Sequence, residues 1–152
     1  MTQDTGTIHE AGLPRTERAD ARRGGLLLLA TDLSRSSAAE DAHAMDLAAD
    51  SGARLVILAI PGGDPTADAS LPRRLRTRVH QAQQRGVDAH GALGDLDAAR
   101  SIVRVAEGEA ADEVVIGQNQ WGRWMAAGMS CGHLMLHTPC AITISRVPEA
   151  VG

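Results

Sequence analysis

The stretch Asp112–Val147, DEVVIGQNQWGRWMAAGMSCGHLMLHTPCAITISRV, carries the plan of the chain. It reads as a strand, a glycine-studded loop, a helix and a second strand. Glu113 to Ile116 is a short run dominated by branched aliphatic residues that stops at Gly117, the pattern of a buried parallel strand ending where the backbone turns. Gly117, Gly122 and Gly128 then punctuate a loop leading into a helix. Such a loop turns backbone N–H groups and a helix N-terminus towards an anion, which makes it the first candidate phosphate site in the sequence.

Composition frames that reading. The 152 residues are 43% hydrophobic yet contain no Phe and no Tyr, so the core must be built from Leu, Val, Ile, Met and Ala, which suits closely packed helix-on-sheet layers. All 15 basic residues are arginines, and against 19 acids they leave a net charge of −4, which gives no electrostatic footprint for nucleic acid. Two cysteines, Cys131 and Cys140, do not make a secreted disulfide framework, and a reducing cytoplasm is the expected compartment. Residues 1–24 lack apolar periodicity and are expected to form a solvated tail, with residues 149–152 a flexible C-terminus and 25–148 the domain. Arg22 and Arg23 precede Leu26–Leu29 as in a twin-arginine export signal, but the apolar run stops at Asp32, short of the roughly 7 to 15 residues such a signal needs. Nothing approaches the roughly 18 apolar residues of a membrane span.

The remainder alternates strand and helix. Leu26–Ala30 is an unalternated apolar run, hence a strand buried on both faces. Ser34, Ser36 or Ser37 is expected to cap the next helix, in which Ala38, Ala42, Met45 and Ala49 form the apolar stripe and Gly52 the stop. Arg54–Ile60 is a second buried strand, broken by Pro61-Gly62-Gly63. Asp64–Leu71 reads as loop. A helix from about Pro72 to Arg85 follows, whose Arg73, Arg74, Arg76, Arg78 and Arg85 read as a solvated basic face. Val87–Leu93 is a third, more exposed strand. Asp95 or Asp97 then caps a helix striped by Ala99, Ile102, Val103, Ala106 and Ala110. With the opening stretch this makes five strands and four helices, an α/β three-layer sandwich around a parallel sheet. Ligands of such sheets sit at the carboxyl ends of the strands, an edge here lined by Asp32, Pro61 and Gly117.

The chain resembles the universal stress proteins from Leu26 to Val147, and four pieces carry the resemblance: LLLATDLSRSS, ARLVILAIP, GDLDAARSIVRVAEGEAADEVVIG and HTPCAITISRV. The resemblance implies a strand order of 3-2-1-4-5, a homodimer formed through the last strand, and kinship with adenine-nucleotide-binding proteins. Nucleotide-binding members of the family carry a loop with a glycine, a second glycine three places on, and a third, about nine residues further, followed by Ser or Thr. Here Gly117 matches the first and Gly128 the last, but Gln120 stands at the second, Met129 replaces the hydroxyl, and the loop is two residues shorter. Gln120 and the neighbouring Trp121 and Trp124 add bulk where phosphates need close backbone approach. Met129 offers phosphate no hydrogen bond. Asp32 stands where the family's acid contacts the nucleoside, and Gly122, Gly128 and Ser130 offer a shifted register. The candidate nucleotide site therefore comprises Ala30, Thr31, Asp32, Ile60, Ile116, Gly117, Gln120, Gly122, Gly128, Met129 and Ser130.

Cys131, His133, His137 and Cys140 have a spacing that zinc sites use, but Cys131 lies about 200° around the helix from His133, and no metal site is expected. No nucleophile elbow, paired acids or lysine point to catalysis. The expected function is that of a non-catalytic stress-response regulator or binding protein with a degenerate nucleotide site. The alternatives are an ATP- or AMP-dependent switch, with slow hydrolysis at most, and a ligand-free protein-interaction module using the arginine cluster or exposed tryptophans.

Overall fold

A computed structural model describes residues 24–147. The expected tail up to Arg23 and the last residues, 148–152, lie outside the described residues.

The aliphatic runs form four of the strands, and the alternating stretch after Val87 the other. Strand β1 is Leu26–Thr31, β2 Arg54–Ala59, β3 Ala89–Leu93, β4 Glu113–Gly117 and β5 Ala141–Ser145. They make one five-stranded sheet in the order β3-β2-β1-β4-β5, every pairing parallel, as the sequence led us to expect. All six residues of β1 are buried because both faces of this central strand are covered. Its start is pinned to β4, where the Leu26 N–H donates to Asp112 Oδ2 at 2.8 Å and the Asp112 N–H donates to the Leu26 carbonyl at 2.9 Å.

Among the described residues six α-helices accompany the sheet rather than the expected four: α1 Ala38–Ser51, α2 Pro65–Ala69, α3 Leu71–Gln84, α4 Ala98–Gly108, α5 Gln118–Ala126 and α6 Cys131–His137. Leu27, Leu29, Ile57 and Val115 pack on one face with Ala44, Met45 and Ala48 of α1 and Leu71, Leu75 and Ala82 of α3. Leu28, Val56, Val114, Ile116 and Ile142 pack on the other with Ile102 and Ala106 of α4, Trp124 of α5 and Leu134 of α6. Each fully buried aliphatic side chain contributes about 1.5–3 kcal/mol, so these two layers, built without Phe or Tyr, hold the fold.

Several local expectations are corrected. The segment Asp64–Leu71 is not all loop, because Asp64 caps the one-turn α2 by accepting the Thr66 N–H at 3.0 Å and Pro65 opens it. None of Ser34, Ser36 and Ser37 caps α1 with its side chain; a short 3₁₀ turn, Arg35–Ser37, precedes the helix. The buried stripe of α1 is Glu40, Asp41, Ala44, Met45 and Ala48, whereas Ala38 and Ala49 are exposed. Ala110 lies beyond α4 in the left-handed region with φ 55°, turning the chain into β4. Gly52 does end α1, with φ 70°, and Asp97 does cap α4, accepting the Arg100 N–H at 3.0 Å.

Candidate functional site

The crevice at the switch point of the sheet lies where β1 and β4 run side by side and their following helices leave in different directions. The chain fills it with its own groups. The segment after Gly117, expected to be an open loop, is helix α5 from its first residue. Gly122 sits exposed within that helix, and Gly128 takes φ 95° just beyond its end, in open space. Gln, Trp, Arg, Met and Ala between the glycines are adequate helix formers, and one internal glycine costs only about 1 kcal/mol relative to Ala.

A helix of this length presents unpaired N–H groups at its start, and a carboxylate from α1 accepts them. Glu40 Oε2 accepts the Asn119 N–H at 2.7 Å and Oε1 the Gln120 N–H at 3.3 Å. Glu40 is only 4% exposed. Gly117 is required by the same contact: a Cβ there would run into the Glu40 carboxyl group and meet Glu40 Cβ at 2.7 Å. The glycine that looked like one end of a phosphate cradle thus makes room for an internal anion.

Gln120 closes the crevice from the other side. Fully buried, it accepts the Asp32 N–H through Oε1 at 2.9 Å, and the same oxygen accepts from Arg123 Nη2 at 3.2 Å. Arg123 faces the Asp32 carboxylate at 3.4 Å and the Ser34 hydroxyl at 3.5 Å. Burial alone would raise the Asp32 pKa, but hydrogen bonds from the Ser34 side chain and backbone, with the Arg123 charge, outweigh it and hold the carboxyl below its usual range. Asp32 Oδ1 also accepts the Ser34 N–H at 2.9 Å, the local turn an Asp after a strand commonly makes.

The exit of β1 is braced from below. Leu33 is held in the left-handed region at φ 58°, its N–H donating to Thr31 Oγ1 at 3.0 Å and its carbonyl accepting from Arg74 Nη1 at 3.0 Å. A non-glycine residue there stores on the order of 1 kcal/mol of strain, sustained by the surrounding bonds. Arg78 pairs with the buried Asp41 and donates to the Ser34 carbonyl at 3.2 Å. Arg74 and Arg78, expected on a solvated face, are therefore partly buried struts, and Arg85 reaches Asp46 at 3.1 Å. Asp41 also accepts from Thr31 Oγ1 at 3.0 Å and Ser37 Oγ at 3.2 Å. Burial pushes its pKa up to about 6, against the pull of Arg78 and these hydroxyls.

Of the expected set, Gly117 and Gln120 meet at Glu40, which sequence reasoning missed; Asp32 joins them through Gln120, and Thr31 bonds instead to the neighbouring Asp41. Ala30, Ile60 and Ile116 lie in the core layer beneath. Met129 packs partly buried on that layer, while Ser130 caps α6 by accepting the His133 N–H at 3.2 Å, away from the crevice. Trp124 is 9% exposed and Trp121 packs partly buried on the same layer, so neither stands free on the surface. The His133 and His137 rings lie with centroids 4.6 Å apart, tilted by 45°, and no group of three metal-ligating side chains forms among the described residues.

Fold and crevice define a doubly wound α/β protein with a ligand-type switch point. No protein-family model and no curated protein matches the chain. Solved structures do, and the fold is that of the universal stress proteins, in keeping with the resemblance of the sequence motifs. A protein of that family from Burkholderia pseudomallei is 25% identical, with a TM-score of 0.61 over 83% of this chain and 97% of its own. A universal stress protein in complex with cAMP is 20% identical, with a TM-score of 0.64 over 82% of this chain and 98% of its own. One from Archaeoglobus fulgidus in complex with dAMP is 16% identical, with a TM-score of 0.59 over 79% of this chain and 96% of its own. Among the described residues no helix is long and apolar enough to cross a membrane.

Proposed function

We propose that the chain is a universal stress protein that acts by binding rather than catalysis, in the cytoplasm and as a homodimer through β5, and that its nucleotide crevice has been taken over by an internal carboxylate. The observation that carries this reading is Glu40 at the start of α5. A phosphate would need those same N–H groups, and the carboxylate already supplies the negative charge that the helix terminus favours. Gln120 and Arg123 in turn occupy the Asp32 side of the crevice, where a nucleoside hydroxyl would otherwise hydrogen-bond. β5 ends the sheet, and an edge strand is blunted when a second copy pairs with it.

The competing reading, an ATP- or AMP-responsive switch, is favoured by relatives solved with cAMP and dAMP and by an Asp32 side chain that keeps 25% exposure. Tryptophan fluorescence separates the two, because Trp121 and Trp124 lie within about one turn of Gln120 on α5. The emission is expected to stay unchanged on titration with ATP, AMP or cAMP up to about 1 mM, at which only ligands weaker than about −4 kcal/mol escape detection. A saturable change at micromolar nucleotide sinks the occupied-crevice reading in favour of the switch.

A further inference from the structure

Strand β3 ends the sheet opposite β5, and its outer edge borders a groove of about 690 Å³ against α3. The hydrogen-bond register fixes what that edge offers. The Asp88 carbonyl accepts the Leu55 N–H at 2.9 Å and the Gly94 N–H donates to the Ala59 carbonyl at 2.8 Å, so alternate residues from Asp88 to Gly94 face β2. Ala89, Gly91 and Leu93 consequently direct their backbone groups outward. Gln83 Nε2 donates to the Ala89 carbonyl at 3.2 Å, which leaves the outward N–H and C=O of Gly91 and Leu93 as an open ladder at the groove.

The walls of the groove are of two kinds. Leu75, Val79 and Leu93 supply an apolar floor, with Leu93 51% exposed and Leu96 just beyond it 67% exposed. Gly91 brings the strand close to α3, since a Cβ there would meet Leu75 Cγ at 2.8 Å. The ionisable lining is Arg76, His80 and His90, with no acid among the lining residues. His90 faces Glu109 at 3.2 Å, whereas α3 itself, LPRRLRTRVHQAQQ, contains no acid at all.

We propose that the β3 edge and this groove dock an extended, acidic segment of a partner protein, added to the sheet as a further strand with apolar residues on the Leu75–Leu93 floor and carboxylates towards Arg76 and His80. A chain carrying a net charge of −4 presents here a local face of the opposite sign. Charge also decides between occupants: a second copy pairing edge to edge would set Arg76 and His80 beside their own twins, whereas an acidic strand complements them.

The test is fluorescence anisotropy of the full chain with a short fluorescein-labelled peptide of alternating glutamate and valine, and with its lysine–valine counterpart. Saturable binding of the acidic peptide with a Kd on the order of 10–100 μM is expected. It should weaken about tenfold or more in Arg76→Glu, and again when salt rises from about 50 to about 500 mM. Arg76 is exposed and outside the switch-point crevice, so this variant should fold and leave any nucleotide response untouched. In Leu93→Pro, loss of one outward N–H should weaken binding without altering the salt dependence. No saturation below about 1 mM, equal binding of the basic peptide, or indifference to Arg76→Glu overturns the proposal. Self-association that Arg76→Glu abolishes assigns the groove to a second copy and overturns it as well.

Discussion

Glu40→Ala is the most informative perturbation of the crevice. It strips the acceptor from two N–H groups at the start of α5, in a place only 4% exposed, where water cannot readily replace it. Loss of a cap costs about 0.5–2 kcal/mol, and hydrogen bonds to a charged acceptor about 1.5–3 kcal/mol, so about 3 kcal/mol is expected for the pair together. In a domain of this size that lowers Tm by roughly 6–12 °C. The assay is urea unfolding followed by tryptophan emission, with Gly117→Ala as the second arm of a double-mutant cycle. Gly117→Ala forces the Glu40 carboxylate off the helix and should cost a similar amount in the wild-type background. In Glu40→Ala it should cost about 1–2 kcal/mol less, the relief being partial because the Cβ that remains at position 40 still stands 2.7 Å from the new methyl. A cost under about 0.5 kcal/mol for Glu40→Ala, or equal costs of Gly117→Ala in both backgrounds, would refute the assignment of Glu40 as the internal anion.

Asp41 makes stability depend on pH in the opposite sense from an ordinary paired acid. Its folded pKa of about 6 lies above the ordinary 3.8, so the folded state holds the extra proton between them and stability falls as pH rises through that window, by about 3 kcal/mol in all. Urea unfolding of Asp41→Asn from pH 4 to pH 7 should lack this component of the slope. Asp97→Ala should cost about 1 kcal/mol through the lost cap of α4, read as a shift in urea midpoint. Arg123→Ala should change stability by less than about 1 kcal/mol, because its contact with Asp32 is long and partly exposed, while raising the Asp32 pKa in NMR titrations.

The strands β1, β2 and β4 were legible because each is an aliphatic run with turn residues at its end, β3 only from its looser alternation, and the caps at Gly52 and Asp97 were legible because each acts within a few residues of itself. What escaped reading was non-local. Glu40 and Asp41 interrupt any apolar stripe, yet both point inward because their partners come from 79 and 37 residues away. A carboxylate looks solvent-bound until the helix N-terminus or arginine that receives it is brought into place by the sheet. Likewise Gly117, Gly122 and Gly128 suggested a loop, but only Gly117 is constrained by a neighbour, and that neighbour is Glu40. The departures at Gln120 and Met129 were visible in the sequence; that Gln120 would bond to the Asp32 backbone was not.

Calorimetric titration of the purified chain with ATP, AMP and cAMP, together with mass spectrometry for copurified nucleotide, tests the occupied crevice most directly. With the crevice filled by Glu40, no nucleotide should be retained and no saturable heat should appear up to about 1 mM in the wild type. Bound nucleotide in the purified protein, or a Kd at or below about 10 μM, would contradict it.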